Sequence, residues 1–347
     1  MTPRPHHLLL HPRPEVRSHS RSRAAALALT ALLLAGCGSG VTTQDATPDP
    51  AAALTLENCG REVVVDAAPT AIVGMHPAQT ELLLRLGLAD RMAGQAQAAA
   101  QALPEDVAPL AADVPVLGEV APPSREELLA VEPDFVYAPT TYEFSAEQGF
   151  ASLDQLEQSG AAVYVATGGC ADRRMTGEVT DLFEDLTALG EAFDVQDEAE
   201  QLIAEGRADL EAVEEATAEV APLRVAQVYY EGGTLQAIGA GIEHDILLRA
   251  GADPVHSPEQ EAFSDFFAAP LTPEALAAEA PDAIVFAAYD EEHEAATREY
   301  LTTTFPDMPA VAEDRLIAVS TADMFPGTLG NISAVEQIAA ALYPEQF

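Results

Sequence analysis

Three cysteines, four histidines and 56 acids lie from residue 37 onward, and they bound the covalent and acid–base chemistry of the chain. A thiol can be acylated, bridged or bound to a metal, depending on its compartment and neighbours. His76, His244, His256 and His293 are scattered, and none is near a cysteine in sequence. Neither residue type has the close spacing of a zinc site, so no metal centre is expected. Catalytic fingerprints are missing: no G-x-S-x-G, P-loop, H-E-x-x-H or G-x-G-x-x-G occurs. The run GGTLQAIGAG (232–241) is rich in glycine but wrongly spaced for a phosphate cradle. Two carboxylates could pair for glycoside hydrolysis. Among 56 acids some pair always suits, so a secreted carboxylate-dependent hydrolase is the weakest reading. Side chains for non-covalent capture are better placed. They are aromatic and thioether groups with a few polar tips, as in small-molecule pockets. The candidates are Met75, His76 and Pro77; Tyr137, Tyr142 and Phe144; Tyr229, Tyr230 and Glu231; and Asp323, Met324 and Phe325. Arg173 and Arg174 join them from a loop after Cys170.

These residues follow runs that read as strands: AIVG (71–74), FVYA (135–138), VYVA (163–166), RVAQVYY (224–230), AIVFAA (283–288) and LIAVST (316–321). The runs are continuously apolar rather than alternating. They predict strands buried on both faces, in parallel sheets covered by helices. In open α/β sheets a ligand sits at the carboxyl ends of the strands, which is where the candidates fall. Two blocks recur in order. The first is TELLLRLG (80–87), matched by HDILLRAG (244–251). Each has an acid four residues before an arginine and a glycine where a helix C-cap needs one. The second is SREELLAVEPDFV (124–136), matched by TPEALAAEAPDAI (272–284). Each starts on a helix-capping Ser or Thr and stops at Pro-Asp before a buried strand. Between the halves, residues 176–221 have few breakers and helical spacing, with one helix of about 24 residues expected from Asp197 to Val220, about 36 Å long. The fold class expected is α/β: two Rossmann-like lobes, residues 54–175 and 222–347, joined by one long helix in a stiff connector, with a ligand cleft between them.

Acids outnumber bases 57 to 16, and every base is an arginine. Five arginines and one acid precede residue 37, so the remainder carries 11 arginines against 56 acids, a formal charge of −45. That charge repels a phosphate backbone and excludes nucleic-acid partners. No apolar run reaches the roughly 18–20 residues that cross a bilayer. Residues 1–36 pair a basic segment with a 13-residue apolar stretch, AAALALTALLLAG, the pattern of a signal peptide. It ends in Leu34-Ala35-Gly36-Cys37, which resembles the lipobox of bacterial lipoproteins, whose cysteine is acylated and becomes the N-terminus. Residues 37–53 lack the apolar residues to fold and read as a tether. Export leaves Cys59 and Cys170, an even count, as either one disulfide or two separate thiols; the oxidising compartment favours the bridge.

The chain from about 55 to 345 resembles the iron-siderophore and cobalamin family of ABC-transporter substrate-binding proteins. The features that carry this are the hairpin before VGMHPAQTELLLRLGL, the paired PSREELLAVEPDFVYA and LTPEALAAEAPDAIVFA segments, the central helix and the lipobox. The Cys59/Cys170 arrangement is similar to siderophore-binding lipoproteins of high-GC Gram-positive bacteria. The resemblance implies capture of a ferric siderophore in a shallow cleft and its delivery to a permease and ATPase. Cobalamin or haem is the alternative cargo in the same fold. It implies no catalysis and no cofactor, since the chelator holds the iron. His76 would then bond to a chelate's oxygens from outside the metal's coordination sphere. The expected state is a monomer, lipid-anchored on the outer face of the cytoplasmic membrane. In that family a Glu on each lobe contacts permease arginines, and by motif position these are Glu126 and Glu274. The family often places Trp, Arg or Lys in the cleft. This chain has no Trp or Lys, leaving Arg173 and Arg174, so a neutral or cationic ferric hydroxamate is expected.

Overall fold

A computed structural model describes residues 53–347. The signal peptide, Cys37 and most of the tether lie outside these residues. The described chain opens with an antiparallel hairpin, β1 (Leu54–Asn58) and β2 (Arg61–Val65), turning at Cys59-Gly60. The first lobe follows: β3 (Ile72–Gly74), α1 (Pro77–Arg85), β4 (Met92–Gln95), α2 (Arg125–Ala130), β5 (Phe135–Ala138), α3 (Leu153–Ser159) and β6 (Ala162–Val165). Its sheet has the order β4-β3-β5-β6 and is parallel throughout. Strands β3, β5 and β6 are buried at every residue, which is why they read as unbroken apolar runs.

Residues 176–221 hold two helices, α4 (Asp181–Phe193) and α5 (Gln196–Thr217). Asp194, at φ +59°, ends α4 in the left-handed conformation. The long helix is therefore α5, with 22 residues, and α4 packs beside it. Only Ala199, Gly206 and Val213 of α5 are buried, at seven-residue spacing, so it rests on the body along one stripe.

The second lobe contains β7 (Arg224–Glu231), β8 (Thr234–Ile238), α6 (Ile242–Arg249), β9 (Asp253–Pro254), β10 (Ala268–Pro270), α7 (Pro273–Glu279), β11 (Ala283–Ala288), α8 (Glu291–Thr304), α9 (Pro309–Ala312), β12 (Leu316–Ser320) and α10 (Gly330–Leu342). Its sheet runs β10-β8-β7-β11-β12, with β9 also on β7. Strands β7, β9, β11 and β12 are parallel, whereas β8 pairs antiparallel with β7 and β10. The strands expected at 224–230, 283–288 and 316–321 are thus parallel to one another, and β8 with β10 adds an antiparallel edge. The cause is Gly232-Gly233, both at positive φ, which form a two-residue turn that folds β8 back on β7. GGTLQAIGAG is that turn and the returning strand.

The repeated blocks are equivalent in detail. Glu81–Arg85 and Asp245–Arg249 are ion pairs one turn apart, at 2.7 and 2.6 Å. Ser124 and Thr272 cap α2 and α7 by accepting N–H groups three residues on. Each Pro-Asp aspartate has a second task. Asp134, before β5, accepts from Thr70 N and Ala71 N at the start of β3. Asp282, before β11, accepts from Arg224 N at the start of β7. In both lobes the carboxylate pins the neighbouring parallel strand in register.

Cys59 and Cys170 are joined by a disulfide that spans 111 positions. Beside it Asn58 exchanges two hydrogen bonds with the Val165 backbone. The bridge and this pair tie the hairpin to the end of β6.

Candidate functional site

Both lobes contribute walls to a cavity of about 430 Å³. The first lobe supplies Thr140, just after β5, and Arg174. The second supplies Gln227 and Tyr229 of β7, β8, Phe266-Phe267, and Thr321 with Met324–Pro326 after β12. The lining is mostly aromatic and aliphatic, and its volume falls in the range of about 300–1,000 Å³ typical of small-molecule sites. The seam between the lobes is bonded. Gln79 Nε2 donates to Pro326 O at 2.9 Å, Ala322 N donates to Gln101 Oε1 at 2.8 Å, and Tyr137 donates its hydroxyl to Gly327 O at 3.3 Å. Gly327 is fixed by space as well as by its φ of +69°: a Cβ there would lie 2.5 Å from both Tyr137 Oη and Ala166 Cβ.

Charge in the cavity is balanced. Arg174 is its lining cation, and the Arg174 guanidinium meets Glu243 in a two-toothed pair at 2.6 and 3.0 Å across the lobes. Its other contact is the Phe267 ring, 3.8 Å from centroid to guanidinium carbon. Gln227 is 2% exposed, and its Oε1 and the Thr321 Oγ1 have no protein partner. Both oxygens lie beneath the lining, so a polar cargo reaches them only if those side chains turn. Tyr229 donates to Glu231 Oε2 at 3.2 Å. Burial, then the charge of Glu231, pushes the Tyr229 phenol up to about 12, so it stays a neutral donor.

Arg174, Tyr229, Met324 and Phe325 line this cavity, and the other expected residues are elsewhere. Met75 is wholly buried in the core with Val73, Val136 and Val165. Pro77, at the start of α1, and Phe144 are buried as well. Tyr137 is also fully buried, its hydroxyl spent on the seam. His76 is buried as the N-cap of α1: Nδ1 accepts from Ala78 N at 3.3 Å and the ring rests 4.4 Å from Phe325, behind the cavity wall. Burial holds its imidazole down at about 4. Tyr142 is exposed against Phe150. Tyr230 points to the opposite face of β7 from Tyr229 and stacks on Tyr300 at 4.1 Å. Arg173 is clamped by Asp181 at 2.6 and 3.1 Å and faces the groove along α4, α5 and α6. Asp323 lines another hollow beside Glu81; burial, then that charge, pushes it up to about 6.

Sequence reasoning missed Gln227, Glu243, Phe266 and Phe267. Period two along β7 was the available signal: it puts Gln227 and Tyr229 on one face and Tyr230 on the other. Nothing local marks the Glu243 partner of Arg174, 69 positions away. Among the described residues no group of three or more His, Cys, Asp or Glu is placed to hold a metal ion, and no helix is long and apolar enough to cross a membrane. Glu126 and Glu274 are both exposed, each two residues after its helix cap.

The family model for periplasmic binding proteins matches residues 72–321. The chain is similar to the uncharacterized ABC transporter substrate-binding lipoprotein YvrC of Bacillus subtilis (strain 168), with 24% identity over 321 residues covering 91% of this chain and 95% of that protein. A periplasmic binding protein from Veillonella parvula superposes with a TM-score of 0.74 at 26% identity, covering 84% of this chain and 98% of that one. The ABC-type Fe3+-hydroxamate transport system protein from Saccharomonospora viridis superposes with a TM-score of 0.68 at 25% identity, covering 83% and 98%.

Proposed function

The chain belongs to the periplasmic binding protein family, and on that premise we propose that it captures a ferric siderophore of hydroxamate type outside the cytoplasm and hands it to an ABC permease and its ATPase. The observation that carries the choice of cargo is the Arg174–Glu243 pair. A ferric tris-catecholate brings several negative charges, and haem brings carboxylates. Either needs uncompensated cations, whereas here the lining guanidinium is already neutralised and the protein as a whole is strongly acidic. A neutral or cationic chelate with an apolar skirt suits the aromatic walls. The similarity to the Saccharomonospora viridis protein supports the same choice.

In this reading Cys37 carries the acyl chains, residues 37–53 give reach from the membrane, and Glu126 and Glu274 engage the permease. The protein turns nothing over; the chelator keeps its iron. A tyrosine-fluorescence titration against ferric hydroxamates, ferric catecholates, cobalamin and haem tests the cargo. Tightest saturable binding is expected for a ferric hydroxamate. Tighter binding of a catecholate, cobalamin or haem at moderate salt would overturn the assignment.

A further inference from the structure

The cavity wall made by Thr321 and Met324–Pro326 follows the end of β12, and its only regular backbone is a single 3₁₀ turn, Ala322–Met324. Side-chain amides hold it in place. Asn331 on α10 donates from Nδ2 to Asp323 O at 2.6 Å and to Phe325 O at 3.0 Å. From the first lobe, Gln79 on α1 donates from Nε2 to Pro326 O at 2.9 Å and to Gly327 O at 3.3 Å. Gln101, in the loop after β4, accepts from Ala322 N at 2.8 Å. A wall that is second-lobe chain is thus gripped from the first lobe at both of its ends.

Hydrogen-bond chemistry fixes the direction of each amide. Carbonyls only accept, so Gln79 and Asn331 must turn their NH2 groups toward the wall. The opposite oxygens, Gln79 Oε1 and Asn331 Oδ1, are then buried with no protein partner. Gln79 is 0% exposed and Asn331 is 1% exposed. A buried acceptor left unpaired costs stability, and a leucine would fill the space of Gln79 without that cost. Packing alone therefore does not account for Gln79. What its nitrogen holds does.

Neither Gln79 nor Gln101 lines the cavity. We propose that both are positioning residues of the cargo site: they set the place of Met324 and Phe325 relative to the first lobe, so cargo affinity depends on two side chains that the cargo does not touch. The inference rests on the reading of this cavity as the cargo site. A wall fixed before the cargo arrives does not have to be ordered when it binds. Gln79 acts as a donor and Gln101 as an acceptor, and this opposite polarity supplies the test.

On the full-length protein in detergent, affinity for a ferric tris-hydroxamate is read by tyrosine-fluorescence titration, and the Met324 methyl group is followed by NMR without cargo. Gln79→Glu replaces the donors with acceptors, and Gln101→Leu removes the acceptor. Each should weaken binding about tenfold, the size of ordering one or two side chains on binding, and each should shift the Met324 signal. Gln101→Glu keeps an acceptor oxygen at the same reach, so it should restore the binding lost in Gln101→Leu. Gln79→Leu buries no charge, should behave as Gln79→Glu does, and decides the matter if the glutamate variant fails to fold. Glu214→Gln on α5 should match the wild type in both measurements. Wild-type affinity in Gln79→Leu or Gln101→Leu, or a loss in Gln101→Glu as large as in Gln101→Leu, would overturn the positioning role. If the wild type does not bind the chelate, the cargo reading fails by itself. The Met324 signal then decides the wall: a shift in Gln79→Leu and Gln101→Leu that is absent in Gln101→Glu upholds the positioning, and an unmoved signal overturns it.

Discussion

Arg174 shows how one pairing sets the chemistry of a pocket. Held by Glu243 and covered by Phe267, its charge is spent inside the protein. Glu243→Gln releases it, so the variant should gain about tenfold for an anionic ferric catecholate relative to a ferric hydroxamate, measured as the ratio of quenching constants. An unchanged ratio would show that the pair does not govern selectivity. His76 makes a different prediction. Its folded pKa of about 4 lies below the usual 6.5, so on acidification the unfolded chain takes the proton first. Its contribution is whole above about 6.5 and is lost as the pH falls toward 4, by up to roughly 3 kcal/mol. Asp185 and Asp323 are pushed up, mainly by burial, to about 7 and about 6, so they act with the opposite sign. His76→Asn keeps those two groups and a capping side chain but removes the imidazole. Its urea midpoint should therefore fall less than that of the wild type between pH 6.5 and 4.5; parallel curves would refute the burial argument. Residue types at strand ends marked the neighbourhood of the cavity. They did not separate Tyr229 from Tyr230, or Met324 from Met75, because facing depends on pleat and on which sheet lies behind.

At the scale of elements, the two lobes use one device twice. A capped helix ends at Pro-Asp, a buried strand follows, and the aspartate grips the next strand. This was legible because caps, Pro-Asp stops and continuously apolar strands are local. Strands β4 and β8 were not: MAGQ carries little β signal, and β8 depends on the Gly232-Gly233 turn. The long helix was legible because residues 197–220 hold few breakers, and α5 matches that reading; the separate α4, ended by the left-handed Asp194, was announced by nothing in the composition. The disulfide adds to a hairpin that forms its own small sheet and is also anchored by Leu56, Val63 and Val65 in the core and by Arg61 on Glu157 and Val163. Closing a loop of this length restricts the unfolded chain by about 4–5 kcal/mol on the chain-entropy model. Cys59→Ser/Cys170→Ser should lose about that much in guanidinium unfolding while keeping its secondary structure. A loss under about 1 kcal/mol would mean that the Asn58 and Arg61 bonds and the buried apolar face hold the hairpin without the bridge.

Residues 53–347 form two lobes on a bonded seam, a frame suited to presenting two fixed points at once. Glu126 and Glu274 occupy equivalent positions on α2 and α7, and both are exposed. Surface ion pairs contribute little singly, about 0–1 kcal/mol, but desolvated pairs at an interface couple more strongly. Glu126→Arg or Glu274→Arg should each cut uptake sharply with cargo affinity at its wild-type value, whereas Glu214→Arg on α5 serves as the control for net charge. Reversals no worse than that control would remove the docking role. The lobes themselves were legible from the sequence because repeated order survives even where single motifs are weak; the seam was not, since Gln79, Gln101 and Gly327 meet across distances of about 200 residues or more. Capture without turnover is decided by native mass spectrometry of the purified protein with a ferric hydroxamate. A complex heavier by one intact, iron-loaded chelate is expected, with the chelate released unchanged on denaturation. No complex, or a released ligand of altered mass, would contradict it.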